Sequence, residues 1–390
     1  TVNSQLSTVN SHIVFSDVTL TIKRGEKVAF VGNNGEGKYT FSGQFVLDGM
    51  RTNGGAIGNG ASITLQNIAF IQGVNKDAIT SPSNSYTHNV TIQNCTYEGN
   101  AEYTGTWFLN PLDVAYYFNV NNITATNTRF IYGKGYNKYN ADGYGLVVKN
   151  VTATEGITAV FNNVKTDGEI LIQNNTIVAT KYVLRDALEG YVGTITLKNN
   201  DFTTTTTEND EGVIYTRRQS ADTKPHILVE SGSYVGKVAQ ASANHAVAIS
   251  GGHFSVDLTD AAYADFIADE YVPVNDATEG APYTVQHGIV KRVVNEKNVY
   301  YLTLNDAIKA SLANSDAADV ITLLTNYSVD GRLFAYEAGA TVEGAGFEIA
   351  DGTTGKNIVI DFAGLNYQVT TDLVGSTGTK TQAMHFASGN

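Results

Sequence analysis

Apolar and polar residues alternate in short segments that recur along the first two thirds of the chain. In the first clear copy, residues 63–70, alternating apolar positions are followed by a small turn-forming residue and then by further alternation. Alternation is typical of a strand with one buried face, and a position restricted to Asn, Asp, Gly or Ser indicates left-handed or locally hydrogen-bonded backbone. The other copies are VTIQNCTY, ITATNTRF, LVVKNVTA, ILIQNNTI, ITLKNNDF, ILVESGSY and VAISGGHF, with weaker ones at IVFSDVTL and YTFSGQFV.

The turn-forming residues recur about every 25 residues, which predicts about ten repeats. A strand that returns at this interval with no long helix between copies indicates short strands that stack in parallel, about 4.8 Å apart, around one shared core. The chain is therefore predicted to be all-β, folded as a parallel β-helix. The predicted corner residues are Asp17, Gly43, Asn67, Asn94, Asn127, Asn150, Asn174, Asn199, Ser231 and Gly251.

Two alternatives bear on this repeat. A leucine-rich repeat has a similar period and an Asn, but it places two residues between the last strand apolar position and that Asn, whereas Leu65-Gln66-Asn67 has one. The β-helix is therefore the preferred fold. The stacked Asn side chains either form a hydrogen-bonded ladder or serve only as turn formers, and the pattern leaves both open.

The repeat stops after Gly251, and a different order of elements follows. Residues 256–287 contain a short helix candidate beginning near Asp260 and a strand in APYTV. From residue 288 the pattern predicts two short strands, a helix over 305–313, a further strand, and new coils at TVEGAGFEIADG and NIVIDFAGLNYQV. The predicted organisation is a β-helix over 1–255, a closing connector over 256–287, and a strand-helix-strand cap with the first coils of a second β-helix over 288–390.

The segments ISGGHFSVDLTDAAYADFIADEYVPV, YYLTLNDAIKASLANSDAADVITLL and NIVIDFAGLNYQV are similar to those of the modular β-helix surface proteins of gut bacteria. In that family a glycine pair followed by Phe-Ser closes one β-helix, and a strand-helix-strand unit opens the next. The resemblance implies a right-handed helix and an extracellular, bacterial cell-surface location, often in an adhesin or a glycan-associated module. It supplies no catalytic residues.

Composition and charge narrow the range of partners. The net charge is −13, with 25 Lys and Arg against 38 Asp and Glu, which disfavours nucleic acid and anionic lipid surfaces. No apolar run approaches the length that would insert into a membrane. The single cysteine, Cys95, excludes an internal disulfide framework, and its strand position favours a buried small apolar residue over a reactive thiol.

Residues 20–40 resemble the phosphate loop of an ATPase through Gly32, Gly35, Gly37 and Lys38. That chemistry requires a Ser or Thr hydroxyl for magnesium directly after the lysine, where this chain has Tyr39. It also requires a helix after the loop, whereas Tyr39 opens a strand-like segment. The chain is therefore predicted to bind no nucleotide and no cofactor.

Catalysis on a polysaccharide would require paired carboxylates, or calcium-binding carboxylates beside a basic residue. The candidates share no common face or spacing, the seven histidines show no metal-ligand spacing, and stacked or ion-paired surface arginines are a common alternative. The sequence therefore favours a protein that is not an enzyme and holds no metal. The candidates are Glu102, Asp113, Asp142, Glu208, Asp210, Glu211, Arg185-Asp186 and Arg217-Arg218.

Two intervals between corners are over-long, 33 residues from Asn94 to Asn127 and 32 from Asn199 to Ser231. Insertions in solenoids lie on one face, often the binding face, and the first of these is rich in aromatics, which suit sugars and protein partners. Half of these aromatics are expected in the core. The predicted ligand-binding residues are Tyr103, Trp107, Tyr116, Tyr117, Tyr132, Tyr136, Tyr139, Asp142 and Tyr144.

The sequence thus favours a surface-displayed binding module that recognises a host protein or glycan. A polysaccharide lyase or glycoside hydrolase on the same scaffold is the first alternative. A structural stalk that holds other domains away from the cell is the second.

Overall fold

A computed structural model describes most of the chain, and its regular structure is almost entirely strand. The chain divides into two compact units, Thr1–Ala248 with Phe254–Val256 and Ile249–His253 with Asp257–Asn390. The described residues are 7–9, 12–14, 28–30, 39–42, 45–46, 62–81, 88–111, 116–132, 142–164, 169–186, 193–208, 211–216, 226–240, 247–313, 318–329, 347–349, 357–369 and 384–386.

The first unit is a right-handed parallel β-helix, as predicted. Its strands, in chain order, are β1 (Ser7–Val9), β2 (His12–Val14), β3 (Val28–Phe30), β4 (Tyr39–Ser42), β5 (Phe45–Val46), β6 (Ser62–Gln66), β7 (Ile68–Ile71), β8 (Ile79–Ser81), β9 (His88–Glu98), β10 (Trp107–Pro111), β11 (Tyr116–Thr126), β12 (Arg129–Tyr132), β13 (Tyr144–Glu155), β14 (Ala159–Val164), β15 (Glu169–Gln173), β16 (Thr176–Ala179), β17 (Tyr182–Asp186), β18 (Ile195–Lys198), β19 (Asn200–Thr204), β20 (Gly212–Thr216), β21 (Ile227–Val229), β22 (Gly232–Val235), β23 (Val238–Gln240), β24 (Val247–Ile249) and β25 (His253–Phe254).

Each coil contributes to three parallel sheets. Sheet A contains β3, β6, β15, β18, β21 and β24, and sheet B contains β4, β7, β16, β19, β22 and β25; the long strands β9, β11 and β13 run through the corner between A and B. Sheet C is the eight-stranded array β5, β8, β10, β12, β14, β17, β20 and β23. β2 pairs antiparallel with β1, and residues 15–20 of the weak copy expected from residue 13 lie outside the described residues.

The corner between sheets A and B is formed by left-handed asparagines, with φ between 49° and 58°. Their side chains also bond between coils: Asn122 Nδ2 donates to Asn94 Oδ1 at 2.7 Å, and Ser231 Oγ donates to Asn199 Oδ1 at 2.7 Å. The interpretation of these asparagines as turn formers only is therefore wrong, because hydrogen bonds between coils are present at two steps of the corner. The left-handed residues of this corner are Asn67, Asn94, Asn122, Asn150, Asn174 and Asn199; Asp17 and Gly43 lie outside the described residues.

Asn127 was expected at this corner, and that expectation is wrong. The register pairs Asn121 with Gln93 and Ile123 with Cys95, which places Asn122 beside Asn94. Asn127 lies at the second corner, between sheets B and C, stacked between Gly99 and Gly156. The interval after Asn94 is thus 28 residues rather than 33.

Gly156 makes room for this asparagine. Its φ is +65°, and a Cβ atom there would lie 2.0 Å from Asn127 Oδ1. We expect Gly156→Ala to lower the free energy of unfolding by about 1–3 kcal/mol, because left-handed strain and the displaced amide act together. Urea unfolding followed by circular dichroism measures this. Gly105→Ala, where nothing lies within 4 Å of the added atom, is the control, and equal losses in both variants would contradict the account.

Alternate strand positions of sheets A and B fill the interior with apolar side chains. Aromatic rings stack along the axis of the β-helix. The ring centres of Phe108 and Phe130, on sheet C, are 5.2 Å apart with an interplanar angle of 10°, and those of Tyr234 and Phe254, on sheet B, are 5.0 Å apart with an angle of 18°. Cys95 is buried in this core, as predicted, and burial raises the pKa of its thiol. A thiol in that state is not poised for nucleophilic chemistry.

The second unit contains a 3₁₀ helix, Ala261–Phe266, whose first turn is capped where Asp260 Oδ1 accepts from Ala262 N at 2.9 Å. Helix α1 (Leu304–Ala313) is capped by Thr303, whose Oγ accepts from Asp306 N at 3.0 Å. The strands are β26 (Tyr271–Asn275), β27 (Tyr283–His287), β28 (Val290–Val294), β29 (Lys297–Tyr301), β30 (Ala318–Leu323), β31 (Tyr327–Val329), β32 (Phe347–Ile349), β33 (Asn357–Asp361), β34 (Tyr367–Val369) and β35 (Met384–Phe386).

Three parallel pairings, β30 with β33, β31 with β34 and β32 with β35, form two coils of a second solenoid. The antiparallel strands β28 and β29 extend its first sheet. Helix α1 buries Leu304 and Ile308 against Ile321 of that sheet. Under the helix, Arg292 Nε donates to Asp319 Oδ2 at 2.7 Å, so the buried charge is paired.

Candidate functional site

The outer face of sheet C carries two parallel rows of polar and aromatic side chains. The strand positions between the rows, such as Phe108 with Leu109 and Phe130 with Ile131, are fully buried in the interior. The register of the sheet aligns the first row as Trp107, Arg129, Ala159, Tyr182 and Gly212. The second row is Asn110, Tyr132, Asn162, Arg185 and Tyr215. We call their polar and aromatic members the sheet C patch: Trp107, Asn110, Arg129, Tyr132, Asn162, Tyr182, Arg185 and Tyr215.

The arginines of the patch lie over aromatic rings. The Arg129 guanidinium is 5.5 Å from the centre of the Trp107 ring, and the Trp107 and Tyr132 rings are 5.3 Å apart. The Arg185 guanidinium lies over two rings, 5.4 Å from Tyr182 and 5.9 Å from Tyr215. These distances are those of cation–π contacts, which restrict the motion of each guanidinium.

Small side chains and a neighbouring loop hold these groups in place. Ala159 packs in a cluster with Trp107 and Tyr182, and Tyr132 covers the cluster. Asp77 Oδ1 accepts from Trp107 N at 2.7 Å, and Asp77 Oδ2 accepts from Asn110 Nδ2 at 2.7 Å. Asp77 therefore fixes both the strand and the amide at one end of the patch.

Three polar atoms of the patch are buried with no hydrogen-bond partner in the described protein. They are the acceptors Asn110 Oδ1 and Asn162 Oδ1 and the donor Arg129 Nε. Their residues are only half-buried, and an unsatisfied buried polar group is uncommon and destabilising. Three such atoms lie within one patch, and this makes the patch the candidate site.

The structure places the predicted binding residues in different surroundings. Trp107 is 5% exposed, so it supports the patch rather than offering an open ring, contrary to expectation. Tyr132 lies in the patch, while Tyr103, in the loop before β10, and Tyr117 and Tyr144, on sheet A strands, are half-buried. Asp142 is exposed. Tyr116 is in β11 but its side chain is outside the description, as are Tyr136 and Tyr139 altogether.

The catalytic candidates do not converge among the described residues. Glu102 and Glu208 are exposed, and Glu211 accepts from Thr206 Oγ at 2.7 Å. No group of three His, Cys, Asp or Glu side chains in the described part of the chain is arranged to hold a metal. Arg185 has the stacked role that the sequence offered as its alternative. Asp113, Asp210, Arg217 and Arg218, and the side chain of Asp186, lie outside the description.

The resemblance to a phosphate loop fails on the structure that follows it. The strand β4 occupies the position where such a loop requires the first turn of a helix, and it pairs in parallel with β7. The loop residues 31–38 lie outside the described part. A strand cannot direct the free N–H groups of a helix terminus at a phosphate.

Sequence reasoning missed Asn110, Arg129, Asn162, Tyr182 and Tyr215. Their strands could have been located in the sequence by the number of residues between the preceding strand of sheet B and the strand of sheet C, but that number varies from coil to coil. The second corner is two residues long in one coil (127–128) and eight in another (99–106). The sheet C strands consequently have no common register in the sequence.

No protein-family model, no curated protein sequence and no solved structure matches the chain significantly. Among the helices of the described residues, none combines the length and apolar character needed to cross a membrane.

Proposed function

We propose that this chain is a non-enzymatic binding module that holds an extended glycan across the sheet C patch. The observation that carries the proposal is the combination of unsatisfied polar atoms, Asn110 Oδ1, Arg129 Nε and Asn162 Oδ1, with guanidinium groups fixed on aromatic rings. A sugar hydroxyl both donates and accepts hydrogen bonds. Neighbouring hydroxyls of one sugar can therefore satisfy the arginine donor and the amide acceptors together.

The dimensions of the patch suit a chain that runs across the strands. The patch spans β10, β12, β14, β17 and β20, which at the usual strand spacing is about 19 Å. Each strand of the patch contributes polar or aromatic side chains, and the distance between neighbouring strands is close to the length of one sugar ring. A linear polysaccharide can therefore present one sugar to each coil.

A protein partner is less well matched to this face. Protein interfaces place well-packed apolar and aromatic residues at their centre. Here the largest rings, Trp107 and Tyr182, are each only 5% exposed, so little apolar area remains to be buried by a partner. What the patch offers is half-buried amides, guanidinium edges and the Tyr132 ring.

The proposal has two further parts: the chain does not catalyse a reaction, and it is located at a bacterial cell surface. Asp77, a carboxylate that contacts the patch, accepts hydrogen bonds at both oxygens, which supports a positioning role for it rather than acid or base chemistry. The location at a bacterial cell surface is supported by the resemblance of residues 249–274 and 300–324 to surface β-helix proteins.

The test is binding to a panel of immobilised neutral and acidic polysaccharides. We expect the chain to bind at least one of them, and Tyr132→Ala and Asn162→Ala each to weaken that binding about tenfold or more. Asn119→Ala changes a half-buried amide on sheet A and is the matched control. Melting temperatures measured on the same samples separate lost contacts from lost folding.

Three other results would overturn the proposal. New reducing ends or unsaturated sugars after incubation would show a lyase or a hydrolase. Binding on a host-protein array without polysaccharide binding would show a protein adhesin. No binding to either class would favour a stalk.

A further inference from the structure

The first sheet of the second unit carries a row of exposed valines on its outer face. Val293, Val320 and Val359 are 58%, 49% and 46% exposed and lie on the neighbouring strands β28, β30 and β33. Val320 pairs with Val359 in the parallel register of β30 and β33. The antiparallel register of β28 and β30 pairs Arg292 with Ile321, and its continuation by one residue places Val293 beside Val320. We call these three residues the valine row.

The inner face of the same sheet is already covered. Val290, Ile321 and Leu323 are buried in one cluster with helix α1, and Ile358 and Ile360 pack against that cluster. The valine row lies on the other face, because successive residues of a strand point to opposite sides of the sheet. Single exposed apolar residues are ordinary, whereas a contiguous group of them is typical of an interaction surface. The outer face of this sheet is therefore suited to a second layer.

A second row on this outer face carries one positive and one negative charge. The two registers align Lys291 on β28, Thr322 on β30 and Asp361 on β33. The backbones of Lys291 and Asp361 are two strand spacings apart, about 10 Å. Neither residue forms an ion pair with another described residue. Asp361 Oδ1 accepts from Ala363 N at 2.8 Å, so the carboxylate is held in place at its edge of the face.

A second copy of the chain matches this arrangement of charges. Consider two such sheets packed face to face, with a twofold axis between them that runs along β30. The rotation places β28 of each protomer over β33 of the other and leaves the position along the strands unchanged. Lys291 of each protomer then faces Asp361 of the other. Val320 meets its own counterpart at the axis, and Val293 faces Val359. The face is thus complementary to itself in both charge and apolar character.

We infer that the outer face of β28, β30 and β33 is a self-association surface, through which two copies of the chain pack with twofold symmetry. The valine row forms the centre of the contact, and two Lys291–Asp361 pairs lie beside it. The three strands give a footprint of about 14 Å by 17 Å. That area is well below the roughly 800 Å² that each partner contributes to a stable complex. The dimer is therefore weak and dissociates on dilution.

Sedimentation velocity of the whole chain over a range of concentrations tests the association. We expect a monomer–dimer equilibrium, and we expect Val320→Lys to abolish the dimer because two ammonium groups would meet at the axis. Val178→Lys, at a valine of sheet B that is 37% exposed, is the matched control and should leave the equilibrium unchanged. Circular dichroism of each variant verifies that it is folded. A chain that remains monomeric at every concentration would overturn the inference.

Charge exchange tests the twofold arrangement. Lys291→Asp and Asp361→Lys each place like charges opposite one another and should weaken the dimer about tenfold or more. The double variant Lys291→Asp/Asp361→Lys restores both pairs with their signs exchanged and should recover most of the lost affinity. A double variant as weak as the single ones would overturn the proposed axis, and a dimer that Val320→Lys leaves intact would overturn the proposed face. These measurements contain no glycan, so their outcome is separate from that of the glycan-binding proposal.

Discussion

Replacement of Phe108 by alanine is expected to lower the free energy of unfolding by about 3–5 kcal/mol. Phe108 is fully buried at the meeting point of three coils. Its ring is stacked on Phe130 at 5.2 Å, lies 4.8 Å from Tyr97, and meets Phe70 edge-on at 5.7 Å. Truncation removes the contacts of all three rings and leaves a cavity that the rigid strands cannot close.

The measurement is urea unfolding followed by circular dichroism, with Phe108→Leu and Val178→Ala as comparisons. Leucine refills part of the cavity and should lose less than alanine. Val178 is 37% exposed on sheet B, so its truncation should change stability by less than about 0.5 kcal/mol. A Phe108→Ala variant as stable as Val178→Ala would show that the interior stack contributes little.

Sheets A and B could be predicted because one face of each strand is buried and the other is solvated. Segments such as ILIQNNTI then alternate visibly around a left-handed asparagine. The same pattern placed Asn127 wrongly at the corner between sheets A and B. The reason is that the corner between sheets B and C also favours residues that tolerate positive φ. In ITATNTRF the first four residues belong to sheet B and the last two to sheet C, and the corresponding sheet A to B corner lies earlier, at Asn122.

The candidate site was less accessible to sequence reasoning. The aromatic cluster in the sequence predicts Tyr132 and Trp107 as binding residues alike, yet composition does not separate a half-buried ring from a buried one. Arg129 gives no local signal, because its environment comes from Trp107 on one neighbouring strand and Ala159 on the other. These neighbours are 22 and 30 residues away in sequence. The variable second corner hides that proximity.

Two asparagines that follow corner residues lie inside the β-helix, where polar side chains are rare. Asn175 and Asn200 follow the corner residues Asn174 and Asn199, and each is 1% exposed. Asn200 Oδ1 accepts from Asn175 Nδ2 at 2.9 Å and from Asn175 N at 3.1 Å, and Asn200 Nδ2 donates to Ile172 O at 2.9 Å. Asn175 Oδ1 in turn accepts from Val151 N at 2.9 Å. The two amides thus connect three successive coils.

We expect Asn200→Ala to lower the free energy of unfolding by about 2–5 kcal/mol, because it removes the acceptor of the buried Asn175 N–H, one of the two acceptors of Asn175 Nδ2 and the side-chain donor to Ile172 O. The double variant Asn175→Ala/Asn200→Ala should lose less than the sum of the two single variants, since the second change removes a group that the first had already orphaned. Thr176→Ala, at an exposed position on the adjoining strand, is the control and should lie within about 0.5 kcal/mol of the parent. Additive losses in the urea-unfolding cycle would mean that the two amides act separately. A stable Asn200→Ala variant would mean that the interior supplies its polar groups with other partners.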